Sequence, residues 1–207
     1  MKKLLLLLVL ILGLLFGLNY YQNHFQTEPQ ISQVVQKKQD SILIKKVSAL
    51  NTFISNHAQY NNEIAFLIDM RIPSSQYRFY VYDLKIRKIL KKGLVAHGSG
   101  SETKYENVLS FSNQNGSNAT SLGKYSIGTS YWGKFGKSYK LYGLDKSNSN
   151  AFERAIVLHH YESVPRYEQP TNIINSLGCP MVNKVFFQEL ENILDNSSKP
   201  ILMEIYY

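Results

Sequence analysis

The chain has 207 residues and a formal net charge of +8 at pH 7, because 23 lysines and arginines outweigh 15 aspartates and glutamates. A chain of this length can form one domain with its own core. It has no Lys/Arg-rich run of the kind that binds nucleic acid, so we exclude nucleic acid as a partner. The basic excess then indicates either an anionic surface, such as a membrane or cell wall, or ordinary solvated charge. The single cysteine excludes an intramolecular disulfide.

The amino terminus has the pattern of an export segment. Lys2 and Lys3 precede an uncharged apolar run from Leu4 to Leu18, which is typical of a signal peptide. As a helix this run spans roughly 22 Å, short of the ~30 Å core of a bilayer, but residues 19–22 offer no small-x-small cleavage site. We therefore predict that residues 1–20 are a signal peptide or a membrane anchor. The remainder is expected in the cell envelope, in the periplasm or membrane-anchored and facing outward.

Residues 21–62 are predicted to form a polar helical linker. They are rich in lysine and glutamine, and their apolar positions follow the spacing i, i+4, i+7, i+11 at Leu43, Val47, Leu50 and Ile54. This spacing is typical of the apolar stripe of an amphipathic helix.

Residues 63–207 are predicted to form one mainly β domain with a few short helices. Runs that favour β-structure, several of them separated by turn residues, occur at Ile64–Met70, Tyr77–Asp83, Leu94–His97, Leu122–Ile127, Tyr139–Leu144, Ala155–His160 and Ile201–Tyr206. Asn183 is a candidate cap for a helix with Phe186, Leu190 and Ile193 on one face. The stretch 98–121, crowded with Gly, Ser and Asn, is predicted to be a long loop that is partly ordered against the domain.

The chemistry of the domain centres on Cys179. A thiol is a useful nucleophile as the thiolate, which a nearby imidazole forms by taking the proton. His159 and His160 end the apolar run AIVLHH. Between His159 and Ser176 lie 16 residues, and the chain then reads Ser176-Leu-Gly178-Cys179. Glycine lets the backbone approach closely, so the N–H groups of Gly178 and Cys179 are expected to face an oxyanion. The alternative interpretation is a small apolar cysteine without chemistry. No CxxC, HExxH or Cys/His cluster occurs, so we predict no metal.

A series of segments supports the interpretation of Cys179 as a nucleophile. In chain order they are FLIDMRIPSSQYRFYVYDL, LVAHGSGS, FSNQNGS, SLGKYSIG, YWGKFGKSYKLYGL, RAIVLHHY and SLGCP. Through this series residues 63–207 resemble the L,D-transpeptidase (YkuD-type) catalytic domain family, in its murein L,D-transpeptidase branch. The resemblance implies a β-sandwich-like fold, here preceded by the apolar segment and the amphipathic helix. It also implies a cysteine acyltransferase that acts on peptidoglycan stem peptides and needs no cofactor.

The resemblance assigns roles to individual residues. Cys179 matches the nucleophile and His159 the general base, and Ser176 and Gly178 complete the motif around them. His97, in the segment AHGSG, is typical of this branch and is expected to be structural or to lie on the substrate side.

The chain departs from the family pattern at two positions. His160 stands where the family commonly has a small residue. We expect it on the opposite face of the strand or at the rim of the cleft, as a substrate-binding residue whose replacement alters substrate contacts modestly. Pro180 follows the cysteine where other branches carry an arginine, so a substrate contact by arginine cannot be carried over from that position. Arg154 is a candidate to make such a contact instead.

We therefore predict that Cys179 attacks the L-centre carbonyl of the third stem residue and expels the terminal D-alanine, with His159 as general base. An amine of a neighbouring stem then forms a cross-link. Two alternatives remain open, namely an L,D-carboxypeptidase that hydrolyses the same bond and a non-catalytic cell-wall-binding module. The membrane is a partner through the N-terminal segment if that segment stays uncleaved.

Overall fold

The computed structural model describes residues 11–20, 27–105 and 107–207, with the backbone alone for residues 27–36. The chain divides into two compact units, Met1–Ser48 and Ala49–Tyr207. Residues 11–20 are helical, and the start of the predicted export segment, with Lys2 and Lys3, lies outside the described residues. Within the described ranges no helix combines the length and the apolar character needed to cross a bilayer. The boundary at residues 62 and 63 stays a prediction.

The predicted amphipathic stripe lies on a long helix, α1, which runs over Thr27–Ser55. In the part of α1 that belongs to the second unit, Leu50 and Ile54 are buried. The intervening Asn51 and Thr52 are exposed, as expected where apolar positions recur once per helical turn. The helix predicted from this spacing is confirmed.

The remaining regular elements of the second unit are eight strands, the helix α2, and two short 3-10 helices at Ser99–Ser101 and Lys146–Asn148. The strands and α2 are β1 Ile64–Asp69, β2 Phe79–Asp83, β3 Lys88–Gly93, β4 Gly123–Gly133, β5 Gly136–Gly143, β6 Val157–His160, β7 Met181–Val182, α2 Lys184–Asp195 and β8 Leu202–Tyr206. One sheet has the order β3-β2-β1-β8-β4-β5-β6-β7. The pairs β1–β8 and β6–β7 are parallel, and the other neighbours are antiparallel. The predicted mainly β fold is confirmed.

The two halves of this sheet share one apolar core. Phe66 of β1 and Met203 of β8 belong to the same buried cluster as Leu141 of β5 and Leu158 of β6. Side chains from both halves therefore meet on one inner side, which is the packing principle of a sandwich. The helix α2 covers this core with Phe186, Phe187 and Leu190.

The cap predicted for α2 is also confirmed. Asn183 precedes the helix with an extended backbone, and its side-chain oxygen accepts the Phe186 N–H at 2.9 Å. This bond satisfies one of the N–H groups that the first turn of a helix leaves without an intrahelical partner.

Two strands are absent from the prediction, and one predicted strand is wrong. β3 is exposed over its first five residues, so its sequence lacks a buried apolar pattern. It is an edge strand of the sheet, and lysines on an edge strand discourage pairing with other chains. β7 has two residues, too few for an alternating pattern. Within the predicted strand Leu94–His97, Ala96 alone makes a bridge, to Met181. The segment is nevertheless buried, because Leu94 and Ala96 belong to one apolar cluster with Met181 and Val95 belongs to the main core.

Candidate active site

Cys179 stands at the end of a closed turn over residues 176–179, which we name the SLGC turn. The Ser176 hydroxyl donates to the Cys179 carbonyl oxygen at 2.6 Å and accepts the Gly178 N–H at 3.1 Å. Gly178 has φ 114°, a conformation that side-chain-bearing residues rarely adopt. The predicted motif residues thus come together as one unit, in which both recorded bonds of the Ser176 hydroxyl stay inside the turn.

The SLGC turn is braced from behind by residues 96–99. The Ser176 N–H donates to His97 O and the Ser99 N–H donates to Ser176 O, both at 2.8 Å. One residue beyond the turn and its proline, Met181 O accepts the Ala96 N–H at 2.8 Å. The segment AHGSG therefore fixes the turn through backbone hydrogen bonds.

His97 lies inside a buried polar chain instead of facing solvent. Arg78 Nη2 donates to His97 Nδ1 at 2.8 Å, and His97 Nε2 bonds Glu102 Oε1 at 2.7 Å. Because a guanidinium can only donate, Nδ1 must be the acceptor and Nε2 the protonated nitrogen of a neutral ring. Burial, together with the charge of Arg78, holds the pKa of His97 below its ordinary value, which agrees with this tautomer.

Arg78 and Glu102 are the members of this chain that sequence reasoning missed. The guanidinium of Arg78 is fully buried, and it also donates to Ile72 O at 3.0 Å and to Val95 O. Glu102 accepts from Asn175 at 3.1 Å, directly before the SLGC turn. Nothing in the sequence separates Arg78 from a surface arginine, because its acceptors come from backbone brought close only by folding.

The thiol of Cys179 is half-buried and has two polar neighbours. Its Sγ accepts the Val157 N–H at 3.5 Å and donates weakly to Ala155 O at 3.8 Å. Burial raises the pKa of the thiol, while the Val157 N–H and the charge of Arg154 act in the opposite direction. The resting form is therefore the thiol, and deprotonation needs a base.

His159 has the protonation state of such a base. Its Nδ1 lies 2.9 Å from His160 O, and a carbonyl can only accept, so Nδ1 carries the proton. Burial lowers the pKa of His159, so the ring is neutral near pH 7 and Nε2 holds the free lone pair. Phe135 stacks on the ring, with centroids 4.4 Å apart, and shields one of its faces from water.

The pairing of β6 with β7 sets the distance between the thiol and this imidazole. His159 is opposite Met181 in the parallel register, and Cys179 precedes Met181 by two residues, roughly 7 Å along a strand. Cys179 therefore lies two residues before the position opposite His159, and its Sγ meets β6 at the Val157 N–H. Among the described residues, the recorded hydrogen bonds of Sγ go to Val157 and Ala155, and none goes to the imidazole.

His160 points away from His159. Its ring lies 5.5 Å from that of Phe187 in the core, whereas His159 lies against Phe135. Successive residues of a strand face opposite sides, so the two rings occupy different surroundings. The His160 Nδ1 is buried without a hydrogen-bond partner among the described residues.

Arg154 lies beside the SLGC turn. Its guanidinium is half-buried and donates to residues of the loop 112–121. A methyl group built on Gly178 would be 3.3 Å from Arg154 Nη2. The structure thus brings Arg154 next to Cys179, although its contacts are with the protein.

One of the two backbone N–H groups expected to face an oxyanion is already engaged. The Gly178 N–H donates to Ser176, whereas no acceptor for the Cys179 N–H is recorded within the described part of the chain. In that same part, no three His, Cys, Asp or Glu side chains converge as metal ligands. The site holds a thiol, a neutral imidazole and one N–H that can receive developing negative charge.

A comparison with protein families gives a match to the L,D-transpeptidase catalytic domain over residues 35–202. A comparison with curated proteins gives no match.

Among solved structures, the chain is similar to three L,D-transpeptidases. The protein from Xylanimonas cellulosilytica has 16% identity over 70% of this chain and 60% of its own, with a TM-score of 0.37. The Mycobacterium smegmatis protein has 12% identity over 70% and 59%, with a TM-score of 0.40. A mutant of the Enterococcus faecium protein has 10% identity over 70% and 50%, with a TM-score of 0.42. This chain therefore spans between half and three-fifths of these solved chains.

Proposed function

Because the chain belongs to the family of L,D-transpeptidase catalytic domains, we propose that it transfers acyl groups between peptidoglycan stem peptides. The observation that carries this proposal is the position of a half-buried thiol, Cys179, next to a strand whose end bears the neutral imidazole of His159. A nucleophile, a proton acceptor and an N–H donor for an oxyanion are the groups that nucleophilic acyl transfer uses.

In the first half-reaction the donor is a stem peptide that ends in D-alanine. His159 Nε2 takes the thiol proton, and Cys179 Sγ bonds to the L-centre carbonyl carbon of the third residue. The tetrahedral oxyanion lies at the Cys179 N–H, a type of interaction worth about 3–4 kcal/mol per donor in other enzymes. The C–N bond to D-alanine then breaks, the proton on Nε2 passes to the leaving amine, and a thioester remains.

In the second half-reaction an amine of a neighbouring stem attacks the thioester. The new C–N bond forms, the C–S bond breaks, and the proton of the amine passes through His159 back to sulfur. Water in place of the amine releases a shortened stem by the same steps. Access of the acceptor to the thioester therefore decides between cross-linking and trimming.

The resting contacts of Sγ support a movement before attack. The weak S–H bond to Ala155 O is lost on deprotonation, because two acceptors then face each other. The Val157 N–H remains as a donor to the thiolate. We expect rotation about the Cα–Cβ bond of Cys179 to bring Sγ toward His159 and the substrate.

The test of this proposal is incubation of the full-length protein with a labelled tetrapeptide muropeptide, with and without a tripeptide muropeptide as acceptor. Mass spectrometry follows free D-alanine and the cross-linked product, and Cys179→Ala is the control. Release of D-alanine together with a cross-link supports transfer, whereas release without a cross-link at any acceptor concentration favours the carboxypeptidase. If the wild type releases no D-alanine but still sediments with insoluble peptidoglycan, the protein is a wall-binding module and the proposal is wrong.

We also propose that the domain acts outside the cytoplasm. The support is the basic start at Lys2 and Lys3 before the apolar run to Leu18, since such charge keeps an amino terminus inside. A reporter active only outside the cytoplasm, fused after Tyr207, is expected to give signal. Changing Lys2 and Lys3 to glutamate is expected to reduce that signal, and full-length protein found only in the cytosol contradicts the proposal.

A further inference from the structure

Arg154 is a cation held by neutral groups. Its Nη1 donates to Ser112 O at 2.9 Å and to Ser121 Oγ at 3.2 Å, and its Nη2 donates to Ala119 O at 2.6 Å and to Ser117 Oγ at 3.3 Å. All four acceptors belong to residues 112–121, which we name the serine loop. None of the acceptors recorded in the described part of the chain is a carboxylate. The loop therefore fixes the guanidinium without neutralising it.

The same guanidinium lies beside the nucleophile. Gly178 directly precedes Cys179, and a methyl group on it would be 3.1 Å from Ala119 O and 3.3 Å from Arg154 Nη2, so these neighbours would have to shift by a few tenths of an ångström. Ala155, directly after Arg154, accepts from Cys179 Sγ, and Val157 donates to it. Residues 154–157 thus surround the thiol with one charge, one carbonyl oxygen and one N–H.

The backbone at this point is adapted to that arrangement. Ala155 has φ 52°, a left-handed conformation that costs a residue with a side chain about 1 kcal/mol. This bend lets Arg154 reach back to the serine loop while Val157 continues into β6. Ala155 thus lies between the cation of Arg154 and the Val157 N–H that donates to the thiol. Backbone strain of this kind is retained in functional sites.

We propose that Arg154 is a positioning residue whose uncompensated charge stabilises the Cys179 thiolate, with the serine loop as its neutral holder. This inference rests on the proposed function, because it matters only if Cys179 reacts as a thiolate. An opposite charge nearby favours the ionised form of a titrating group, and a carboxylate on Arg154 would cancel that effect. Hydrogen bonds from carbonyl and hydroxyl groups orient the guanidinium and leave its charge available.

The other groups around the resting thiol do not supply this charge. His159 is neutral until it takes the thiol proton, because burial lowers its pKa. Burial raises the pKa of Cys179, and of the described groups that lower it Arg154 is the one that carries a full charge, the other being the Val157 N–H. Tyr125 also interacts with the thiol, but burial raises its pKa to about 12, so its phenol is neutral near pH 7. Its hydroxyl is bonded to Ser121 of the serine loop.

The experiment measures the rate of alkylation of the full-length protein by iodoacetamide against pH. The chain has one cysteine, so every adduct reports on Cys179. Arg154→Gln keeps hydrogen-bond donors but removes the charge, and we expect alkylation at pH 7 to slow about tenfold with a midpoint at higher pH. Arg154→Lys keeps the charge but loses the fork of donors that the serine loop holds, so its rate is expected to lie between those of the wild type and Arg154→Gln, with a midpoint closer to that of the wild type. Arg166→Gln, at an exposed arginine over the Tyr167 ring, is the matched control and is expected to leave the rate unchanged.

Ser117→Asp serves as a second variant if Arg154→Gln does not fold. It leaves Arg154 in place but puts a carboxylate where a neutral hydroxyl accepts from Nη2, so it is also expected to slow alkylation at pH 7. Equal midpoints for the wild type and folded Arg154→Gln or Ser117→Asp overturn the inference. The inference is also overturned if Arg154→Gln and Arg154→Lys slow alkylation equally and leave its midpoint unshifted, because Arg154 then only holds the loop. Alkylation needs no peptidoglycan, so the alkylation result can be interpreted even if the muropeptide test of the proposed function fails.

Discussion

A methyl group on Gly98 would lie 2.7 Å from the Cα atom of Gly178 and 2.2 Å from Asn118 O. The backbone that braces the SLGC turn is thus in direct contact with it, with no space for a side chain between them. The φ angle of Gly98 is −70°, a value that any residue can adopt. Glycine is therefore required at this position by the close approach of Asn118 O and Gly178 and not by backbone conformation.

Gly98→Ala is therefore expected to destabilise the protein by about 3 kcal/mol, because both neighbours are backbone atoms that cannot move aside cheaply. Gly116→Ala separates this effect from backbone strain. Gly116 has φ 73° and open space around it, so its cost is limited to about 1 kcal/mol for the left-handed conformation. Urea denaturation measures both variants, and a Gly98→Ala protein as stable as the wild type contradicts the close contact.

The stability of the protein is expected to fall as the pH drops below about 6.5. Burial lowers the pKa of both His97 and His159 from a reference value of 6.5, so the unfolded chain binds protons before the folded one does. Their contribution is present above that pH and is lost as the pH falls toward the folded-state values. Urea denaturation at pH 7, 6 and 5 measures the free energy of unfolding.

His97→Gln tests which residue causes this slope. Glutamine offers an acceptor to Arg78 and a donor to Glu102 but does not titrate, so its stability is expected to depend less steeply on pH than that of the wild type. Stability that rises on acidification, or equal slopes in both proteins, shows that His97 is not buried as a neutral ring.

His159 and His160 are expected to differ in their effect on acylation of Cys179 by a carbapenem, a reaction that the family resemblance implies. His159→Ala removes the base, so acylation is lost near neutral pH and partly returns at alkaline pH, since an unassisted thiol titrates near ~8.5. His160→Ala is expected to retain most of the activity, because that ring faces Phe187. Intact-mass measurements over a pH series compare the variants. The reverse pattern would make His160 the base and shift the register of β6 by one residue.

Asn183→Ala is expected to cost about 1 kcal/mol by removing the cap of α2. Asn183 also donates from its amide nitrogen to Pro165 O at 3.3 Å. Asn183→Asp keeps the oxygen that accepts the Phe186 N–H and loses only this donor, so a smaller loss is expected. Thermal unfolding of both variants distinguishes the two bonds, and an equal loss in Ala and Asp variants assigns the effect to Pro165.

Sequence reasoning reached the parts of this protein that depend on local pattern or rare residues. The single cysteine, the histidines at the end of AIVLHH and the cap at Asn183 are visible as short motifs, because their chemistry is tied to adjacent positions. The β-rich character of residues 63–207 follows from short β-favouring runs, several of them separated by turn residues. The family resemblance then connected motifs that lie far apart.

The remaining features depend on contacts between distant segments. Arg78 is buried because Ile72 O and Val95 O reach it, and no periodicity in the sequence encodes that meeting. Gly98 has the appearance of an ordinary loop glycine until Gly178 lies against it. β8 is buried along its whole length, and an apolar run of this kind does not show which strands flank it.

The strand β8 comes after every other strand in chain order, yet it lies between β1 and β4. Until residues 202–206 are available, the nascent chain can form only two unconnected half-sheets, β1 to β3 and β4 to β7. Each half-sheet then presents an unpaired strand, which is a template for pairing with other chains. Formation of the complete sheet must therefore follow synthesis of β8 instead of accompanying synthesis of the earlier strands.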